Sequence, residues 1–200
     1  MSKTVTGPDG EQRCAWCQAA PEFFEYHDNE WGYPVADDQR LFEKLCLESF
    51  QSGLSWRTIL AKRENFRKAF CAFDFNKLAD FSDADIERLL QNEGIVRHRG
   101  KIEAVINNAQ RAQELIASEG SIAGYVWRYE AENPPEPQTA STSPESVAMS
   151  KDLKKRGWKF VGPTTVFAFM QAMGLINDHA TGCAQREKAA QLRRSFQKPT

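Results

Sequence analysis

The chain has 200 residues, enough for one domain or two small lobes, and its 41% hydrophobic and 26% charged fractions exclude a disordered or fibrous class. A net charge of −1 gives no whole-chain attraction for a polyanion, and the longest apolar stretch, Val166–Met170, is far short of the roughly 20 residues that cross a bilayer. Five cysteines, an odd number behind a polar opening without a signal-peptide core, argue against a disulfide framework and for a cytoplasmic protein without membrane contact.

Residues 1–10, MSKTVTGPDG, are polar and predict a flexible lead-in. Asp37 and Asp38 precede Leu41, Phe42, Leu45 and Cys46, which predicts a capped helix running to about Ser52. Ser55 caps a second, carrying Ile59, Phe66 and Phe70. Ser82 with Asp85 forms a capping box before Ile86, Leu89 and Leu90, and Gly94 suits the position just past that helix's end. Ile102, Val105, Ile106, Ala109 and Ile116 mark a long amphipathic helix ending near Gly120, and a shorter one holds Tyr125, Val126 and Tyr129. Residues 132–146, rich in Pro, Ser and Thr, predict a loop that ends in the cap Ser143 and the first-turn proline Pro144. No sustained period-two alternation appears, and the one Asp-Gly pair lies in the lead-in. The expected fold is all-α: one domain over 11–185, with 186–200 as a C-terminal tail.

Pro144 should open a helix that stops at Gly157, and Pro163 another that runs from Thr164 to Met173 and closes at Gly174. Between them Gly157-Trp158-Lys159-Phe160-Val161-Gly162 is too short for paired strands and suits a tight hairpin, over about 157–163. Such a turn aims the unsatisfied N–H groups of the second helix outward, where they and the helix dipole attract phosphate. Gly162 leaves the backbone approachable and Lys159 adds charge; an ordinary helix turn reads equally well on spacing alone. Lys151, Lys154, Lys155, Arg156 and Lys159 against Asp152 make this segment basic, and Arg97, Arg99 and Lys101 form a second cluster. Either cluster is by default a solvated helix face, with phosphate contact as the functional alternative; for Arg97, Arg99 and Lys101 a structural salt-bridge network reads nearly as well as contact with a phosphate backbone.

Two of the three histidines lie close to cysteines. His179 and Cys183, four apart, share a face if helical, and Cys14, Cys17 and His27 lie near the other end. Four Cys and His donors suit a closed tetrahedral Zn²⁺ shell that ties the two chain ends together. Five candidates compete for four positions, and Cys14-x-x-Cys17 is itself a natural chelating pair. Cys46 and Cys71 read as core residues.

Glu48 lies at the edge of the apolar stripe of its helix, about 60° or less from Leu41 and Leu45 at ~100° per residue. A buried carboxylate is costly unless paired. It either forms a salt bridge to an Arg or awaits a ligand that brings donors or positive charge. Tyr26, Trp31 and Trp56 can wall such a pocket or simply fill the core.

Phe160-Val161-Gly162-Pro163-Thr164-Thr165 resembles the helix–hairpin–helix motif of DNA glycosylases. Thr164 stands where strand-cleaving members carry a Lys nucleophile, and Asn177 falls nearest the catalytic Asp of most members. The runs Arg13-Cys14-Ala15-Trp16, Tyr26–Gly32 (YHDNEWG), Leu47-Glu48, Gly53-Leu54-Ser55-Trp56, Gly94–Lys101 (GIVRHRGK) and Asn177-Asp178-His179 resemble the 3-methyladenine DNA glycosylase I family across residues 11–185. The resemblance implies two helical lobes, with one structural Zn²⁺ on Cys14, His27, His179 and Cys183 joining the N- and C-terminal segments. It implies a base pocket of Glu48, Tyr26, Trp56 and Phe23, the last replacing a usual Tyr. Leu54 would insert into the DNA stack beside Gly53, and Lys159, Gly162, Thr164 and Thr165 would meet the DNA backbone. It further implies a monomeric, nucleoid-associated enzyme that flips 3-methyladenine out of alkylated duplex DNA and excises it hydrolytically, without lyase activity. Tyr26 and Trp56 are expected to sandwich the base, with Glu48 accepting its hydrogen bonds.

Overall fold

The computed structural model describes residues 3–200, so the first two residues of the expected lead-in lie outside it. Ten α-helices follow a short β-hairpin: α1 Glu22–Asn29, α2 Asp38–Gln51, α3 Trp56–Ala69, α4 Phe75–Leu78, α5 Asp83–Leu90, α6 Arg99–Glu119, α7 Ile122–Val126, α8 Pro144–Lys155, α9 Pro163–Ala172 and α10 Gln185–Ser195. The central helix is α2, which buries Leu41, Phe42, Leu45, Cys46, Leu47 and Phe50 around most of its circumference and packs against α3, α6, α7 and α9. At roughly 1.5–3 kcal/mol per fully buried large apolar side chain, this helix anchors the core. Its start follows from Asp37, whose side chain accepts from the Arg40 N–H at 2.8 Å.

Ser55 caps α3 and Ser143 caps α8, the latter in a reciprocal box with Ser146. Gly120, Gly157 and Gly174 follow α6, α8 and α9 with φ of 91°, 84° and 78°. Gly94 does not serve α5, which ends at Leu90 with Gln91 as its cap. Cys71 is exposed rather than core, because Cys71–Phe73 form a tight turn with positive φ that swings its side chain outward.

Two departures from expectation lie at the ends. Thr4–Thr6 (β1) pairs antiparallel with Gln12–Cys14 (β2), Thr4 opposite Cys14 and Thr6 opposite Gln12, so part of the expected lead-in is ordered. Strands of three residues, TVT and QRC, are too short to show a period, so the Asp-Gly between them stood without flanking alternation. Residues 186–200 fall largely in α10 rather than in a plain tail. Only Ala189 of that helix is buried; what holds it is Phe196 against Trp127 (centroids 4.6 Å apart) and Arg193 paired with Glu130 and lying over the Trp127 ring. The expected loop carries no regular structure between Tyr129 and Ser143. No helix is long and apolar enough to cross a membrane among the described residues.

Candidate functional site

The hairpin between α8 and α9 forms as expected. It is held from behind: Asn108 on α6 bonds both the Lys159 carbonyl and its N–H, Ser150 donates to the Val161 carbonyl at 2.6 Å, and Ser49 donates to the Phe160 carbonyl at 3.0 Å. Phe160 takes φ 56° at the tip. Gly162 has an ordinary φ of −63°, and a Cβ there would meet nothing within 4 Å. Neither strain nor crowding within the chain requires glycine, whereas a close external partner would.

Facing the hairpin, Gly53 takes φ 79° in the turn after α2, which leaves Leu54 protruding and 41% exposed. Lys101 fixes this turn, donating to the Phe50 and Ser52 carbonyls at 2.8 and 2.5 Å. It therefore caps α2 from inside the protein instead of offering charge to a ligand. Arg99 pairs with Glu87 and Glu103, and Arg97 with Glu93, on the exposed surface, so of this basic cluster only Lys101 is committed to an internal contact. A hollow of about 420 Å³ lies between Gly53, Leu54, Thr164 and Thr165 and reaches back to Glu48, Gln51 and Ala168.

These last three residues also line a second cavity of about 350 Å³, walled by Trp16, Phe23, Tyr26, Trp31 and Trp56, with Gln138 and Gln171 on its polar side. Phe23, Tyr26, Glu48 and Trp56, the expected base pocket, thus converge on one cavity. Phe23 and Tyr26 come from α1, Glu48 from α2 and Trp56 from the first turn of α3.

Two details differ from expectation. Glu48, 5% exposed, is paired, but with Lys44 one turn earlier at 2.7 Å rather than with an Arg, and a void adjoins it. Lys44 also donates to the Tyr26 hydroxyl at 2.7 Å and lies 3.5 Å from the Trp56 ring centroid. Burial draws its ammonium down, and Glu48 opposes that; burial, then the Glu48 charge, push the Tyr26 phenol well up. Secondly, the Tyr26 and Trp56 centroids are 5.4 Å apart with planes at 42°. A base between two rings needs about 7 Å, twice a van der Waals contact, so these side chains form one wall and not a sandwich. Lys44 is absent from the cavity lining, and its charge sits behind that wall.

Behind Trp16 and Trp31 lies the Cys/His cluster. The ligand atoms of Cys14, His27, His179 and Cys183, all buried, lie within 4.8 Å of one another. Cys14 arrives on β2 and His27 on α1 beside Tyr26, while His179 and Cys183 sit in a turn through Gly182 (φ 91°), not on the helix their spacing suggested. Cys17 is buried outside the cluster, its thiol pushed up to about 12 by burial first. The donor set fits a metal. His27 Nε2 and His179 Nδ1 face each other at 3.2 Å, and His27 Nε2 is 3.5 Å from Cys183 Sγ. A tetrahedron with Zn–N near 2.05 Å and Zn–S near 2.3 Å has edges of about 3.3 Å (N–N) and about 3.6 Å (N–S). His27 also bonds Asp28 through Nδ1 at 2.7 Å, the outer contact that aims Nε2 inward.

Asn177 faces away from the cavity, donating to the Arg186 carbonyl at 3.0 Å. Its neighbour Asp178, 3% exposed, instead points towards the cavity's polar side and holds Gln138 and Gln171. Lys44, Gln138, Gln171 and Asp178 were not among the expected site residues. Lys44 left a sequence trace as a cation one turn before Glu48, and Asp178 stood in the Asn177-Asp178-His179 run, whereas Gln138 and Gln171 left none.

Against known proteins, the methyladenine glycosylase family profile matches residues 16–187. The chain belongs to that family. It is 48% identical over 178 residues to DNA-3-methyladenine glycosylase 1 of Escherichia coli K12, covering 86% of this chain and 95% of the relative. A crystal structure of 3-methyladenine DNA glycosylase I superposes with a TM-score of 0.82 at 48% identity, over 86% of this chain and 98% of that one. A Staphylococcus aureus member whose structure describes 3-methyladenine recognition superposes equally well, with a TM-score of 0.82 at 38% identity over 87% of this chain and 96% of the other.

Proposed function

We propose that this chain is a monofunctional glycosylase that flips 3-methyladenine out of alkylated duplex DNA and releases it by hydrolysis, the first step of base excision repair inside the cell. One observation carries the reading: a buried carboxylate, Glu48, borders an aromatic cavity that opens onto the hollow between Leu54 and the hairpin. Membership of the family and its named relatives' activity agree with it.

Methylation at N3 makes the base cationic, so its departure as a neutral molecule cleaves an intrinsically weak bond. Water adds to C1′ of the sugar, the bonding pair leaves with the base, and the water's proton passes to solvent or the departing ring. Little acid–base work is needed, consistent with Asn177 where other glycosylases carry Asp. In this reading Glu48 accepts the base's N–H groups and balances its charge; Trp56 and Tyr26 offer one stacking wall, with Phe23 one turn before Tyr26 on the same lining. Leu54, beside Gly53, occupies the gap in the duplex. The free N–H groups at the start of α9, with Gly162, Thr164, Thr165 and Lys159, take the DNA backbone. Cys14, His27, His179 and Cys183 would hold Zn²⁺, which when bound cross-links the N-terminal hairpin and α1 to the segment after α9 without entering the chemistry.

Duplex DNA treated with dimethyl sulfate provides the test. Chromatography of the freed bases should show 3-methyladenine, with abasic sites nicked only after alkali. Absence of any freed base would contradict the proposal, and nicking without alkali would indicate a lyase.

A further inference from the structure

We infer that Asp178 orients the amides of Gln138 and Gln171 so that the cavity presents acceptors and selects a 6-amino purine over a 6-oxo purine; this deepens the reading above and rests on it. Asp178 Oδ1 accepts from the Gln138 backbone N–H at 2.9 Å. Its Oδ2 accepts from Gln171 Nε2 at 2.6 Å and Gln138 Nε2 at 3.1 Å, and the Asp178 carbonyl takes a further bond from Gln138 Nε2. A carboxylate and a carbonyl offer only acceptors here, so both amide nitrogens must turn towards Asp178. That settles which end of each amide is left over. Both side chains line the cavity, and neither amide oxygen has a hydrogen-bonding partner among the described residues.

Two features show that this placement is built. Gln138 holds φ 59° in a segment without regular structure, a conformation that costs a non-glycine residue about 1 kcal/mol or more. Asp178 is a nearly buried carboxylate whose cost is offset by the very N–H groups it orients. With Glu48, the cavity then carries three acceptor groups, and Gln51 supplies a third amide, free to turn either way. Adenine's exocyclic amine donates two hydrogen bonds to such a lining. Guanine carries a carbonyl oxygen at the same ring position, which meets acceptors lone pair to lone pair. Guanine keeps donors at N1 and C2 but has none at C6, and a site built to receive N–H donors at that position rejects an analogue without one far more strongly than a hydrophobic slot would.

Single-turnover release of 3-methyladenine and 3-methylguanine from the same dimethyl sulfate-treated duplex measures the preference directly. The wild-type chain should favour the adenine. Gln171→Leu and Gln138→Leu should each lower the adenine-to-guanine ratio by roughly tenfold, the worth of one discriminating hydrogen bond, with the loss falling on the adenine. Asp178→Asn should lower the ratio as well. A purely structural role would slow both bases together and leave the ratio intact. An unchanged ratio in both Gln variants, or a wild-type ratio near one, overturns the inference while release of 3-methyladenine still upholds the glycosylase. If the wild-type chain releases neither base, the glycosylase reading and this inference fall together. Should Asp178→Asn not fold, the two Gln variants carry the test alone.

Discussion

Glu48→Gln should reduce release of 3-methyladenine by about a hundredfold or more while leaving duplex DNA affinity nearly intact. The substitution preserves shape and one acceptor oxygen but removes the charge, and a single preorganised electrostatic group of this kind contributes on the order of 10²–10³ in rate. Stability must be separated from chemistry, because Glu48 is bonded to Lys44 at 2.7 Å and both are buried. Breaking such a pair by removing one charge costs about 3–5 kcal/mol, whereas replacing the whole pair is often neutral. The double variant Glu48→Gln/Lys44→Met should therefore melt closer to the wild type than Glu48→Gln does, and still fail to release the base. Activity within threefold of wild type in the single variant would remove Glu48 from the site.

Loss of the metal should have the other large effect. The purified chain should carry about one Zn²⁺, and His179→Ala or Cys183→Ala should lower its melting temperature by roughly 10 °C or more, since structural zinc is worth several kcal/mol of folding free energy. The cluster touches the cavity through its neighbours: Trp31 lies 4.8 Å from the His179 ring and 6.0 Å from that of His27, and it lines the cavity. Metal-free protein should accordingly bind free 3-methyladenine more weakly as well as melt earlier. Zinc-free preparations with unchanged melting and binding would refute the metal assignment.

Helix boundaries were legible wherever the signal was local. Asp37, Ser55 and Ser143 each cap within three residues of themselves, and Gly120 and Gly157 terminate by their own φ. The cavity residues Phe23, Tyr26, Glu48 and Trp56 were legible too, chiefly through resemblance; the residues by themselves offered a carboxylate on an apolar helix and Tyr26, Trp31 and Trp56 as walls for it. What stayed hidden depends on distant partners. Gln138 and Asp178 are 40 positions apart, and nothing in a Pro/Ser/Thr-rich loop announces that one of its residues returns to the cavity. Lys101 read as a surface cation because the carbonyls it caps lie about 50 residues earlier. The contact between Tyr26 and Trp56, which replaces the expected sandwich, is likewise a matter of ring placement that spacing does not encode.

A crystal of the chain soaked with 3-methyladenine should show the base inside the cavity, stacked on the Tyr26–Trp56 wall, with an N–H edge within hydrogen-bonding distance of the Glu48 carboxylate. A base bound elsewhere, or one in the cavity that leaves Glu48 bonded to Lys44 alone, would contradict that placement.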